Sequence, residues 1–240
     1  MGRHGTIANR KSAQDSKRAA MFTKYSRQII VAAKNGGDPD FNPALRIAID
    51  KAKSIGMPND NIDRAIKKGT GELSGENYEE LIFEGYGPSG VAIIVVALTD
   101  NKNRTAPFVR SVFDKHGGNL GTPGCVSYMF FRKGVIVIDS ENLDEDEVLM
   151  LALDAGADDM IVNEDNFEIR TEPSSFSDVH KIIKEAGYDI FEAEVEYVPS
   201  IESNVTNPED MKSIVKLINA LEDNDDVQKV YYNCELVEEE

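Results

Sequence analysis

Eight cationic or titratable side chains crowd into the first 27 residues of the sequence: Arg3, His4, Arg10, Lys11, Lys17, Arg18, Lys24 and Arg27, with Asp15 the one acid among them. Lysine and arginine at this density offer one main chemistry, contact with a polyanion, because each cation that meets a phosphate releases a condensed counterion. These eight form the candidate nucleic-acid-binding set. The competing explanation is a solvated helix face balanced by acids elsewhere in the chain. The other reactive residues point to less. His4, His116 and His180 are scattered and share no HExxH or HxH spacing, so no metal site is expected. Cys125 and Cys234 lack any CxxC or Cys/His spacing and read as buried thiols. With no GxSxG elbow, nucleophilic Cys/His signature or kinase motif, the expectation is a non-enzymatic protein with no catalytic residues and no cofactor.

Two glycine-rich stretches need a physical test before they count as phosphate loops. Gly85-Tyr86-Gly87-Pro88-Ser89-Gly90 spells GxGxxG, but a dinucleotide fingerprint must lead from a strand into a helix N-terminus. Here the glycines lead into the apolar run Val91 to Leu98, so a loop between strands is the better reading. Gly117-Gly118-Asn119-Leu120-Gly121-Thr122-Pro123-Gly124 lacks the Lys-Ser/Thr of a phosphate loop and reads as a long turn.

A formal net charge of −17 over 240 residues argues against a polyanionic partner until its distribution is read. Residues 1–70 hold 14 lysines and arginines against 6 acids, a net of +8, and the remainder holds 12 against 37, a net of −25. Such a split marks a basic arm on an acidic body, and the body would repel nucleic acid and orient the arm toward it. Hydrophobic content of 41% with 29% charged residues excludes disorder as the general state. The longest apolar run is strand-sized, and no apolar segment follows the charged start, so the expectation is a cytoplasmic protein with no membrane partner.

The elements that must position these residues follow from periodicity. A helix is predicted from Ser12 to Lys34, opened by Ser12-x-x-Asp15 and closed by Asn35-Gly36-Gly37, with Phe22, Tyr25, Ile29 and Ala33 on one face and Lys17, Lys24, Arg27 and Lys34 on the other. Asn42-Pro43 starts a second helix ending at Gly56, and a third runs from about Asn59 to Lys68. The last two, joined by Gly56-Met57-Pro58, have the short turn of a helix-turn-helix. Asp60 and Asp63, however, occupy the end that would read bases, so a three-helix bundle is the safer reading. From Tyr78 the pattern changes to strand, strand, helix and strand (Leu81 to Gly85, Val91 to Leu98, Arg104 to Lys115, Val126 to Phe131). Residues 134–198 then read βαββαβ, the ferredoxin-like order, and Pro208 to Leu221 and Val227 to Leu236 add a helix and a strand. The expected fold class is α+β multidomain: an N-terminal three-helix domain followed by two ferredoxin-like α+β domains, one inserted in the other. The expected boundaries are 1–75, a discontinuous 76–131 plus 206–240, and an inserted 132–205.

The chain resembles the YebC/PmpR family of bacterial and mitochondrial gene-expression regulators along nearly its full length. The resemblance rests on Ile7 to Arg18, Phe22-Thr23-Lys24, Gly37-Asp38-Pro39, Asn42 to Arg46, Ala48 to Ala52 and Met57 to Ile62. It continues through Glu84 to Pro88, Thr99 to Thr105, Gly117 to Gly121 and Asp154 to Asp159. The family commonly opens with His-Ser-Lys-Trp-Ala-Asn, where this chain has His4-Gly5-Thr6-Ile7-Ala8-Asn9, so one aromatic and one lysine are missing from the arm. The resemblance implies three domains and a nucleic-acid-binding regulator of gene expression, a DNA-binding transcriptional regulatory protein. The alternative it implies is a ribosome-associated translation factor contacting ribosomal RNA to assist elongation. A protein partner at the acidic α+β domains is a third expectation.

Overall fold

In a computed structural model, described for residues 7–236 with side chains from Ala19 onward, the described residues form seven helices and eight strands. Helix α1 runs Ile7–Ala33. It starts upstream of the predicted Ser12 because no glycine or proline interrupts the chain between Ile7 and Ala33, so Ser12-x-x-Asp15 lies inside the helix instead of opening it. Asn42 then does two things at once. Its amide donates to the carbonyls of Ala32 (2.9 Å) and Gly36 (2.8 Å), closing the end of α1, while its Oδ1 accepts from Leu45 N (3.1 Å) to cap α2, Pro43–Ser54. Helix α3, Asn59–Thr70, lies so close to α1 that a Cβ on Gly69 would stand 2.5 Å from the Ile30 carbonyl oxygen. Ile29, Leu45, Ala52, Ile62 and Ala65 close the core of this bundle.

Two four-stranded antiparallel sheets follow, and they have the same spatial plan. The second is built from β4 (Phe130–Asp139), α5 (Glu145–Ala155), β5 (Asp159–Val162), β6 (Asn166–Thr171), α6 (Phe176–Glu185) and β7 (Ile190–Pro199), with strand order β5-β6-β4-β7. That is the ferredoxin-like arrangement. The first contains β1 (Glu79–Tyr86), β2 (Ala92–Thr99), α4 (Lys102–Lys115), β3 (Asn119–Leu120), α7 (Pro208–Glu222) and β8 (Val227–Tyr232), in the order β3-β1-β2-β8. Here β1 holds the position that β6 holds in the second sheet, but it precedes β2 in the chain as a hairpin, and the second unit is threaded between β3 and α7. The first unit is therefore a rewired version of the second, interrupted by it.

This wiring corrects two sequence expectations. No separate strand forms over Val126 to Phe131: Ser127–Met129 is a short 3-10 turn, and Phe130 begins a strand that runs unbroken to Asp139 and pairs with β7 from Phe130 opposite Pro199. The missing strand of the first sheet comes from inside the presumed long turn, where Asn119 and Leu120 pair with Tyr86 and Gly85. The GxGxxG stretch is a strand connection, with Gly87 N bonded to Val91 O at 2.8 Å; its single 3-10 turn, Pro88–Gly90, leads into β2 and opens no α-helix.

The two faces of β2 explain its continuous apolar run. Ile93 and Val95 pack under α4 and α7 with Phe113, Leu217 and Leu221, while Ala92 and Ile94 pack on the opposite side with Val126 and Phe130. A strand of an antiparallel sheet buried on both faces needs no polar alternation. Ile136, Ile169, Val179 and Ile183 anchor the core of the inserted unit, and Ile47 of α2 packs against that cluster. Among the described residues no helix is long and apolar enough to cross a membrane.

Candidate nucleic-acid interface

Helix α1 carries most of the cationic set. Arg3 and His4 lie outside the described residues, and Arg10, Lys11, Lys17 and Arg18 are placed on α1 with side chains that are likewise outside them. Lys24 and Arg27 are placed in full, and both turn toward the acidic body. The Arg27 side chain is 11% exposed and donates to Asp226 Oδ1 at 2.8 Å, to the Asp225 carbonyl at 2.5 Å and to the Leu98 carbonyl at 3.3 Å. Its guanidinium carbon also lies 5.1 Å from the centre of the Tyr78 ring.

Asp226, the acceptor, is 4% exposed and also takes Arg104 (Nε at 3.1 Å, Nη2 at 2.9 Å) and the Thr105 hydroxyl at 2.7 Å. Burial works to raise its pKa. The Thr105 and Arg104 hydrogen bonds and the nearby guanidinium charges outweigh that and hold the carboxyl below its usual range. Lys24 donates to the Glu222 carbonyl at 2.7 Å; burial lowers its pKa, against the opposing charges of Glu222, Asp225 and Asp223. Arg27 is therefore a joint between α1 and the first sheet, closed to phosphate. Among the described residues, Lys24 makes this one hydrogen bond. The sequence reading, which ranked both with their neighbours on α1, missed this because the partners lie about two hundred residues away.

Helix α3 adds exposed Arg64 and Lys67 beside Lys68, whose Nζ stands 3.6 Å from Glu76. Its first turn nonetheless exposes Asp60 and Asp63, so the end a helix-turn-helix would present to base edges is anionic.

The acidic body meets the bundle along the seam between β7 and β8. Glu192, Glu194 and Glu196 alternate along one face of β7, and the Lys229 ammonium of β8 reaches all three, at 2.8 Å from Glu192 and Glu196 and in direct contact with Glu194. Lys51 of α2 completes the cluster at 2.5 Å from Glu194. Burial raises the pKa of Glu196 to about 7, aided by its hydrogen bond with Glu194. Glu194, despite burial, is held well below the carboxylate range by Lys51 and Lys229. The three carboxylates stand close enough to share an ion, and the Lys229 ammonium supplies that charge from within the chain.

Beside this seam the three domains leave a cavity of about 670 Å³. Its walls include Tyr25 of α1, Lys51 of α2, His180 and Lys184 of α6, Phe191 of β7 and Gln228 of β8. Burial, with the neighbouring Lys184 charge, lowers the His180 pKa, so the ring is neutral near pH 7. Of the residues that line the cavity, Lys24 alone stood out in the sequence as a site. Aromatic and polar side chains spaced tens to two hundred residues apart give no local pattern.

The glycine-rich stretch is held by a buried acid. The Glu84 carboxylate, 7% exposed as a residue, accepts the backbone N–H groups of Gly124 (2.8 Å), Val126 (2.9 Å) and Ser127 (2.8 Å). Its role is to shape the chain that leads from β3 into β4.

The comparisons with known proteins agree over nearly the full length of the chain. A family model described as the TACO1/YebC protein N-terminal domain matches residues 3–72, and one described as the TACO1/YebC second and third domain matches residues 78–234. A "Probable transcriptional regulatory protein" of Clostridioides difficile is 53% identical over 238 residues, covering 98% of this chain and 100% of its own length. One of Thermoanaerobacter pseudethanolicus is 54% identical over 235 residues, covering 97% of this chain and 95% of its own. The crystal structure of the conserved hypothetical protein Aq1575 from Aquifex aeolicus superposes with a TM-score of 0.85 at 47% identity, over 94% of this chain and 93% of that one. The chain belongs to the TACO1/YebC family.

Proposed function

We propose that the chain is a nucleic-acid-binding regulator of gene expression, acting without catalysis, whose N-terminal arm contacts phosphate. The observation that carries the reading is the +8 of residues 1–70 set against −25 in the rest, with most of the arm's cations on one long helix. Relatives named as transcriptional regulatory proteins support it. The contact set is Arg3, His4, Arg10, Lys11, Lys17 and Arg18; Arg27 is assigned to holding the helix in place, and Lys24 to both the joint and the cavity wall. DNA is the first target. Ribosomal RNA is the second reading, favoured by the acidic first turn of α3, because recognition of RNA by shape and backbone needs no helix presenting its N-terminus to base edges.

The test is a salt titration of binding to duplex DNA and to structured RNA. Replacing Lys11 and Lys17 by glutamate is expected to weaken binding at least tenfold and to lower the slope of log K against log salt by about 1 for each phosphate-bound cation removed. Affinity and slope both unchanged would overturn the reading. Crosslinking in growing cells separates the targets: promoter DNA without ribosomal RNA supports the first, and the reverse supports the second.

A further inference from the structure

Between Gly134 and Ile169 the sequence has twelve acids and no lysine, arginine or histidine. Two of these acids are paired from outside the segment, Asp158 with Lys133 at 2.9 Å and Glu168 with Arg170 at 2.7 Å. The segment contains α5, and this helix does not follow the usual division into a dry face and a wet one. Val148 and Ala152 enter the core of the inserted unit, with Leu149 and Leu151 packed against it, but Met150 is 67% exposed and Leu153 is 47% exposed outside it. At 100° per residue these two share the solvent side with Asp146, Glu147 and Asp154, all exposed. Val162, at the end of the edge strand β5 that packs beside α5, adds a third apolar side chain at 46% exposure.

Stability of the fold accounts for only part of this pattern. The acids in the first turn of α5 are favoured there by the macrodipole. Asp154 stands in the last turn, where it opposes the dipole and no basic residue offsets it. Apolar side chains rimmed by one sign of charge have the make-up of an interface. The charge decides what covers them. A second copy meeting this one across a two-fold axis would set the same acids against each other. Nucleic acid and anionic lipid headgroups are repelled for the same reason. Local structure decides the shape of the partner. Strand addition finds little to pair with, because β5 offers only Asp159–Val162 and the Met160 N–H is already bonded to Asp159 Oδ1 at 2.9 Å. Met150 and Leu153, three residues apart on a helix, suit the groove-and-ridge packing of a second helix.

We infer that the solvent face of α5 is a docking surface for a protein partner that presents a basic amphipathic helix. The partner's apolar residues seat on Met150 and Leu153, and its lysines or arginines meet Asp146, Glu147 and Asp154. The surface belongs to the inserted unit, whereas the proposed phosphate contacts belong to the N-terminal bundle, so the two contacts are separate. Two exposed apolar anchors make a small, transient contact, and the acids around them speed its formation by steering.

The test uses the full chain and a defined probe: a fluorescent helical peptide of about 18 residues built from leucine and lysine, with leucines at i, i+3, i+4 and i+7. A matched peptide with glutamate in place of lysine is the control. Anisotropy is expected to show binding of the lysine peptide that weakens with salt, and no binding of the glutamate peptide. Met150→Gln with Leu153→Gln keeps the charge and the helix propensity, and is expected to weaken binding at least about tenfold with Tm unchanged. Asp146→Asn with Asp154→Asn leaves the apolar pair in place and is expected to reduce both affinity and salt dependence, which keeps the inference testable if glutamine disturbs α5. A photoreactive leucine in the peptide is expected to crosslink to α5. Equal affinity for the wild type and the glutamine variant, or crosslinks spread over the acidic surface outside the inserted unit, means that net charge alone attracts the peptide and overturns the inference. A glutamate peptide that binds as tightly as the lysine peptide overturns the basic partner. Sedimentation of the chain alone tests the other occupant: a dimer that the glutamine variant abolishes would assign α5 to a second copy and overturn the inference.

Discussion

Asp226 is the residue through which the position of α1 is tested. It holds Arg27 of α1 and Arg104 of α4 at once, and Asp226→Asn removes the charge while keeping the shape. The two partners contribute unequally. The Arg104 side chain is 51% exposed and still paired with Asp100 at 2.9 Å, so its loss is screened and amounts to no more than about 0.5 kcal/mol. Arg27 is 11% exposed and would keep only carbonyl acceptors, and breaking one side of a buried pair costs about 3–5 kcal/mol. The carbonyls of Asp225 and Leu98 offset part of that, which sets the expectation at about 2–3 kcal/mol.

Urea unfolding followed by helical circular dichroism measures the loss directly, and an Arg27→Met background measures the coupling. The pH dependence has a definite sign. Since the folded pKa of Asp226 is lowered, its contribution is present above the unfolded carboxylate value of about 3.9 and disappears as pH falls through the folded value. The wild type should therefore lose stability below about pH 4 by an increment that the Asn variant lacks. A loss under about 1 kcal/mol, or full additivity with Arg27→Met, would refute the assignment of Arg27 as the joint.

Gly69→Ala tests the approach of α3 to α1: helix propensity favours alanine by about 1 kcal/mol, but the new Cβ would lie 2.5 Å from the Ile30 carbonyl and 2.6 Å from Ala33 Cβ. Overpacking of this kind costs about 1–3 kcal/mol, so thermal unfolding should show a net loss, and a rise in Tm would contradict the packing described. Glu196→Gln tests the seam. A carboxyl raised to about 7 binds more protons folded than unfolded, so the wild type should lose stability as pH rises from about 4 to 7. The Gln variant should show a flatter profile of Tm against pH over that window, and an identical slope would count against the raised pKa.

The arrangement of cations has a functional corollary. Contacts between the bundle and the acidic body are made largely by charged side chains: Arg27 to Asp226, Lys51 to Glu194, and Lys184 to Asp50. These use up positive charge in the part of the molecule nearest the carboxylates. The cations proposed to meet phosphate are those farther toward the N-terminus.

Much of this protein was legible in the linear chain because the physics involved is local. The helix and strand periods, the Asn42 cap on α2 and the break in charge near residue 70 all act within a few residues or by simple summation. The βαββαβ order was readable for the same reason, each element announcing itself by its own period. What the chain could not reveal is which of its cations are free. Lys24 and Lys17 look alike on a helical wheel, and Arg27 is set apart only because Asp226 arrives beside it after the chain has passed through both sheets. The fusion of two presumed strands into β4, the use of Asn119 and Leu120 as an edge strand, and the cavity walled by Tyr25, His180 and Gln228 depend likewise on partners distant in sequence. Charge pairing, register and enclosed volume are properties of distance in space, and only the folded chain sets those distances.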